Sequence, residues 1–176
     1  MGINVPYMEI YNVKHGDFGV YYDTERDYVC VIDCGTSQPN DLLKLSLMTP
    51  KDIIASVARN LRKFNKRDIL ITHFHEDHYN GIKAFRGTRS KPFFKNMFIP
   101  YIDPKRDYTK TILLAMEYLY AFSTFFKVPF TVLKNFKELF SRKYSEDIIP
   151  VHRGIILHDI SSERKKAKVL WPPIFK

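Results

Sequence analysis

Only two cysteines, one tryptophan and seven glycines occur in these 176 residues, and the shortages exclude whole classes of protein. Cys30 and Cys34 lie four apart with no C-x-x-C or C-x-C-x-C pattern. Two such residues are too few for a disulfide framework or a thiolate metal site, so they read as ordinary free thiols. No apolar run approaches the roughly 18 residues of a membrane-spanning helix. The N-terminal MGINVPYMEIYNVKHGDFG has no basic stretch followed by an apolar core, so it does not read as a secretory leader. No internal repeat or low-complexity linker divides the chain. The expectation is a single soluble, cytoplasmic domain, not bound to a membrane, with enough residues to bury a core without staples. Its composition, 45% apolar and 27% charged, is that of a folded chain.

Charge is the first thing present in excess. Lysine and arginine number 28 against 19 acids, a net charge of +9. Such a balance favours anionic partners, nucleic acid or phosphorylated molecules, without dictating a fold. Linear clusters fall at Arg59 to Arg67, Arg86 to Lys95 and Glu163 to Lys168. Each alone reads first as a solvated face; a binding stripe requires the charges to share one surface, which a linear sequence cannot show. Nucleic-acid-binding residues are therefore not assigned.

The opening third is strand-like. MEIYNV (8–13), FGVYYD (18–23) and YVCVID (28–33) are rich in aromatic and β-branched residues and are separated by polar turns. Pro50 and Asp52 then introduce a helix whose Ile53, Ile54, Val57, Leu61 and Phe64 recur at three- and four-residue steps, predicting one buried face. DILIT (68–72) predicts a short buried strand, followed by polar, irregular chain as far as Gly81. The segment 108–144, aromatic-rich and broken at Pro129, predicts helices that pack as core or as a lid. GIILHDI and KVLW predict strands in the tail.

His73-Phe74-His75-Glu76-Asp77-His78 places three of the six histidines within six residues. At this composition H-x-H-x-D-H arises by chance in about one chain in two thousand. Residues two apart at a strand end point the same way, so His73 and His75 can offer imidazoles to one metal. The chain then turns, and Asp77 and His78 diverge enough to serve a second. Imidazole with carboxylate suits Zn²⁺, with Mn²⁺ or Fe as alternatives. Two such ions can activate a shared water and clamp the oxygens of a phosphoryl or acyl group.

The run I-L-I-T-H73-F-H75-E-D77-H78-Y-N-G81 resembles the signature of the metallo-β-lactamase-fold hydrolases. V13-K-H-G16-D17, two strands and V-I-D33-C-G35 resemble the opening of that fold. With the late Leu170-Trp171-Pro172-Pro173, the pattern is most similar to the hydrolase domain of ComEC-type competence proteins and their stand-alone relatives. The resemblance covers most of 8–90 and resumes at 155–173. It implies an α/β fold, an αββα sandwich spanning 1–176 with a helical insertion at about 108–147. It implies His73 and His75 on a first metal, Asp77 and His78 on a second, and Asp77 also positioning the attacking hydroxide. Asp33 is implied to steady the metal loop without being a ligand, and Gly81 to let the chain turn into the following helix.

In relatives, two further ligand positions follow the Leu-Trp-Pro-Pro element, which here is the last thing present. The expectation is thus the N-terminal part of the sandwich, incomplete at its C-terminus, with four of six usual ligand positions and little or no turnover by itself. His15, His152 and His158 are read as surface or edge histidines. The function expected is metal-dependent hydrolysis of a phosphodiester, ester or amide-type bond, the charge tilting the substrate toward nucleic acid or a phosphoester. The alternative is a catalytically inactive or truncated domain that binds metal or a partner.

Overall fold

A computed structural model describes residues 5–43, 47–72, 76–88, 90–100 and 141–151, together with the backbone of 156–157 and 167–168. Six strands form one mixed sheet in the order β1 to β6: β1 (Tyr7–Ile10), β2 (Phe18–Asp23), β3 (Tyr28–Cys34), β4 (Lys66–Leu70), β5 (Phe94–Pro100) and β6 (Ser145–Val151). The first three are an antiparallel meander; β3, β4, β5 and β6 run parallel. The chain is thus an α/β protein, as expected. β7 (Ile156–Leu157) falls inside the expected GIILHDI strand and pairs antiparallel with β8 (Ala167–Lys168), which overlaps the expected KVLW strand only at Lys168.

Helix α1 (Pro50–Leu61) makes the crossover from β3 to β4. Its start is written in Thr49-Pro50-Lys51-Asp52. The Thr49 hydroxyl accepts from the Asp52 backbone N–H at 3.2 Å, and the Asp52 carboxylate accepts from the Thr49 N–H at 3.1 Å. That reciprocal cap satisfies two donors that a helix start leaves open. Ile54, Val57, Ala58 and Leu61 turn inward against Val20, Val29, Val31, Ile69 and Phe64. Each large apolar side chain buried there contributes about 1.5–3 kcal/mol.

The opposite face of the sheet is buried too, but it is partly polar. Tyr28 donates to Asp68 (3.1 Å), and Asp68 accepts from both the backbone and the side-chain nitrogen of Asn96 (3.0 Å each). The chain of bonds links β3, β4 and β5 beneath Cys30. Burial on both faces is what the central strands of a layered α/β sheet require.

Some expectations change. β4 begins two residues before the predicted strand, because Lys66 and Arg67 pair with Tyr28 and Val29. The chain before Gly81 is not irregular throughout: α2 (Glu76–Tyr79) and a 3₁₀ turn at Asn80–Ala84 occupy it. β5 falls where no element was expected. β6 takes up the last three residues of the range expected to be a helical insertion, while 101–140, and with it the lid, lies outside the described residues.

Candidate metal centre

Four segments meet where β3 and β4 end: the turn before β2, the residues after β3, Thr72, and α2. Their meeting depends on a defect in the β2–β3 ladder. Phe18 pairs with Cys34 and Gly19 with Ile32, so Asp33 is an extra residue with no partner on β2. It sits at φ +53°, a left-handed conformation that aspartate tolerates better than most residues. A bulge of this kind re-aims a side chain. Asp33 consequently points across to β4 and α2. It accepts from the Thr72 N–H at 2.8 Å and the Thr72 hydroxyl at 2.6 Å, and faces His78 Nδ1 at 3.0 Å.

The backbone packs tightly around this point. Gly35 N–H donates to Asp17 O (3.1 Å), and Asp17 N–H donates to Asp77 O (3.4 Å). A Cβ on Gly35 would run into the Asp77 carbonyl and come within 2.7 Å of His78 N, so only glycine lets the β3 loop lie against α2. Asn80 closes the same seam, accepting from Thr36 N–H (3.0 Å) and donating to Thr36 O (2.7 Å).

His78 is buried at the centre of this arrangement. Asp33 Oδ2 lies 3.0 Å and Asp17 Oδ2 3.5 Å from its Nδ1, and Asp77 Oδ1 lies 4.0 Å from its Nε2. Asp33 already takes two donors from Thr72. Donation of Nδ1–H to Asp33 would be a third bond, and that tautomer offers Nε2 as a ligand atom. This is the carboxylate–histidine arrangement that orients a metal-ligating imidazole. Asp77, partly exposed, and Asp17, mostly exposed, offer the carboxylates nearby. Ligand atoms of Asp17, Asp33 and His78 lie within 4.8 Å of one another. Imidazole and carboxylate oxygens are the donor set of zinc or a similar divalent ion. The 4.0 Å from Nε2 to Asp77 Oδ1 is a span that two ligands, each about 2.1 Å from one ion, can meet. The residues present therefore fit a metal.

Of the residues expected to form the site, Asp33, Asp77 and His78 come together, while His73 and His75 lie outside the described residues. Gly81 takes a different part from the one expected. Its φ is not positive, so it supplies no special turn; a Cβ there would strike the Cys34 carbonyl and come within 2.9 Å of Ile54 Cδ1, so its role is space. Asp17 was not among the expected site residues. After Gly16 it reads simply as a turn residue, and only the sheet's closure brings it to His78. His15 is exposed, with its carbonyl accepting from Ser37; His152 and His158 lie outside the described residues.

A family model described as the Metallo-beta-lactamase superfamily matches residues 17–155, well over half of the chain. No match is found among curated proteins or among solved structures.

Proposed function

Because the chain belongs to the metallo-beta-lactamase superfamily, whose members are usually hydrolytic and metal-binding, we propose that it is a metal-dependent hydrolase in which His73, His75, Asp77 and His78 hold the ions. The observation that carries this reading is the pinning of His78: a buried carboxylate on a left-handed bulge lies 3.0 Å from Nδ1, which supports Nε2 in the role of ligand atom. When bound, ions of this class lower the pKa of water toward neutrality and polarise the bond under attack.

The chain's own residues do the positioning. Asp33 keeps the proton on His78 Nδ1 and, through Thr72, ties the end of β4 to the end of β3. Asp77 is partly exposed beside Nε2 and would orient the attacking water. Asp17, on the rim, adds a carboxylate that can take a proton from that water or contribute a further ligand. The resemblance to the ComEC-type hydrolase domain and the basic charge support a phosphodiester as the bond cleaved.

The test is hydrolysis of bis-(p-nitrophenyl) phosphate with added Zn²⁺ or Mn²⁺. Turnover, however slow, should require the metal, stop with EDTA, and disappear in Asp77→Ala. Turnover unaffected by EDTA would contradict the reading. Metal uptake without turnover would favour the metal-binding or interaction domain instead.

A further inference from the structure

Three basic segments that are remote in sequence meet at the other end of the sheet. Residues 59–67, 86–95 and 142–143 contain eleven of the chain's 28 lysines and arginines and none of its 19 acids, so the rest of the chain carries more acid than base. The parallel strands β4, β5 and β6 all start at one edge, and these segments lead into those starts.

The junction is built around Phe93, which is 3% exposed. Arg62 and Arg67 both lie over its ring, with Cζ at 5.3 and 4.9 Å from the centroid. Their donors go to backbone carbonyls: Arg62 to Arg86 O (3.1 Å), Arg67 Nε to Phe93 O (2.7 Å) and Arg67 Nη1 to Phe64 O. Gly87 N–H donates to Lys143 O (3.1 Å) and Phe94 N–H to Tyr144 O (2.7 Å), which docks the third segment onto the second. Carbonyl acceptors fix a guanidinium without cancelling its charge. Among the described residues none of these cations forms an ion pair. Asp27, whose charge acts on Arg67, is itself bonded to Asn65. Around the two anchored arginines, Arg59, Lys63, Lys91, Lys95 and Arg142 are exposed.

We propose that this basic edge is a docking surface for the phosphate backbone of a nucleic acid, separate from the metal centre. Strands about 4.8 Å apart and the end of α1 spread the charges too widely for a single phosphate group, but at the scale of successive phosphates on a duplex. The apolar residues of the edge, Leu61, Phe64, Phe93, Phe94 and Tyr144, are all buried. Among the described residues, no large apolar side chain of this edge projects to stack on bases or to insert into lipid, which favours sequence-independent contact with a polyanion. The edge lies about 20 Å from Thr72 along β4, so docking is independent of any bound ion. The inference thus goes beyond the hydrolase reading and does not stand or fall with it.

The test is fluorescence anisotropy in EDTA with a labelled duplex of about 20 base pairs, between about 50 and 200 mM salt. Wild-type affinity should fall steeply with salt. In Lys63→Gln/Lys91→Gln/Lys95→Gln/Arg142→Gln, with an unchanged melting curve, the log–log slope should flatten by about 3–4, near 0.9 per lost phosphate contact, and binding should weaken at least about tenfold. Lys51→Gln, outside the edge, should change neither. An unchanged slope in the quadruple variant would overturn the proposal, as would an equal drop in Lys51→Gln. Loss of binding to phosphatidylserine vesicles with duplex binding intact would also overturn it, making the partner a membrane.

Discussion

The two ends of one set of parallel strands are organised by opposite means. Where β3 and β4 finish, buried carboxylate, imidazole and hydroxyl groups are bonded to one another, and glycine is needed for the loops to touch. Where β4, β5 and β6 start, the charged groups are mostly cations, two arginines held by carbonyls and a phenyl ring and others, Lys63, Lys91, Lys95 and Arg142 among them, in solvent. An interior site of mutually bonded groups is intolerant of change, because every member leaves a buried partner behind when removed. A rim of like charges is tolerant, because water replaces what is lost.

That contrast predicts a ranking of effects. The largest belongs to Gly35→Val at the first end. Its Cβ must displace the Asp77–His78 backbone, and we expect a loss on the order of 3 kcal/mol, read as a collapse of the melting temperature or failure to fold. A variant as stable as wild type would show that the two loops are not in contact.

Next comes Asp33→Asn. An amide cannot accept from Thr72 N, Thr72 Oγ1 and His78 Nδ1 together, so a buried donor is stranded. The cost should be about 2 kcal/mol, with metal affinity falling roughly 10–100-fold. Chemical denaturation and zinc titration against a chromophoric chelator measure the two effects separately.

Between the ends, the interior of β3 is sensitive to alkali. Burial pushes the Cys30 thiol up to about 12 from its ordinary 9.0, with the Asp68 charge adding to the shift, and raises Cys34 as well. A raised folded pKa means the stabilisation is complete below pH 9 and is lost as pH climbs toward 12. From Cys30 alone, about 1 kcal/mol should go between pH 8 and 10. Urea unfolding at the two values checks this, and both thiols should resist a disulfide reagent until the protein unfolds. The smallest effect is expected of Lys91→Gln at the basic edge, within about 0.5 kcal/mol of wild type by thermal melt.

The legible parts of the sequence were those where local pattern and tertiary need agree. The β2 and β3 segments are rich in aromatic and β-branched residues and are bounded by turns, and the helix from Pro50 carries its buried stripe at helical spacing. β5 escaped because its start bears Lys95 and follows a run of charge, so its apolar residues are masked by the basic edge they open. β6 escaped because Glu146, Asp147 and Pro150 argue against a strand; among the described strands β6 is the outer one of the sheet, the position at which such residues are tolerated. At the site, the H-x-H-x-D-H spacing marked Asp77 and His78 directly. Asp17 was invisible as a site residue, because its meeting with His78 depends on the β1–β2 turn folding against α2. The joining of the Arg59–Arg67 and Arg86–Lys95 clusters was equally invisible, since only Phe93 and the strand order bring them together.

The most direct test of the central claim, that the His73–His78 loop is a metal centre, is elemental analysis of the purified chain after exhaustive dialysis. Wild type should retain near-stoichiometric zinc, manganese or iron, and the His73→Ala/His75→Ala variant should lose most of it while keeping its fold. A wild-type chain that holds no metal, or a double variant that holds as much as wild type, would contradict the account.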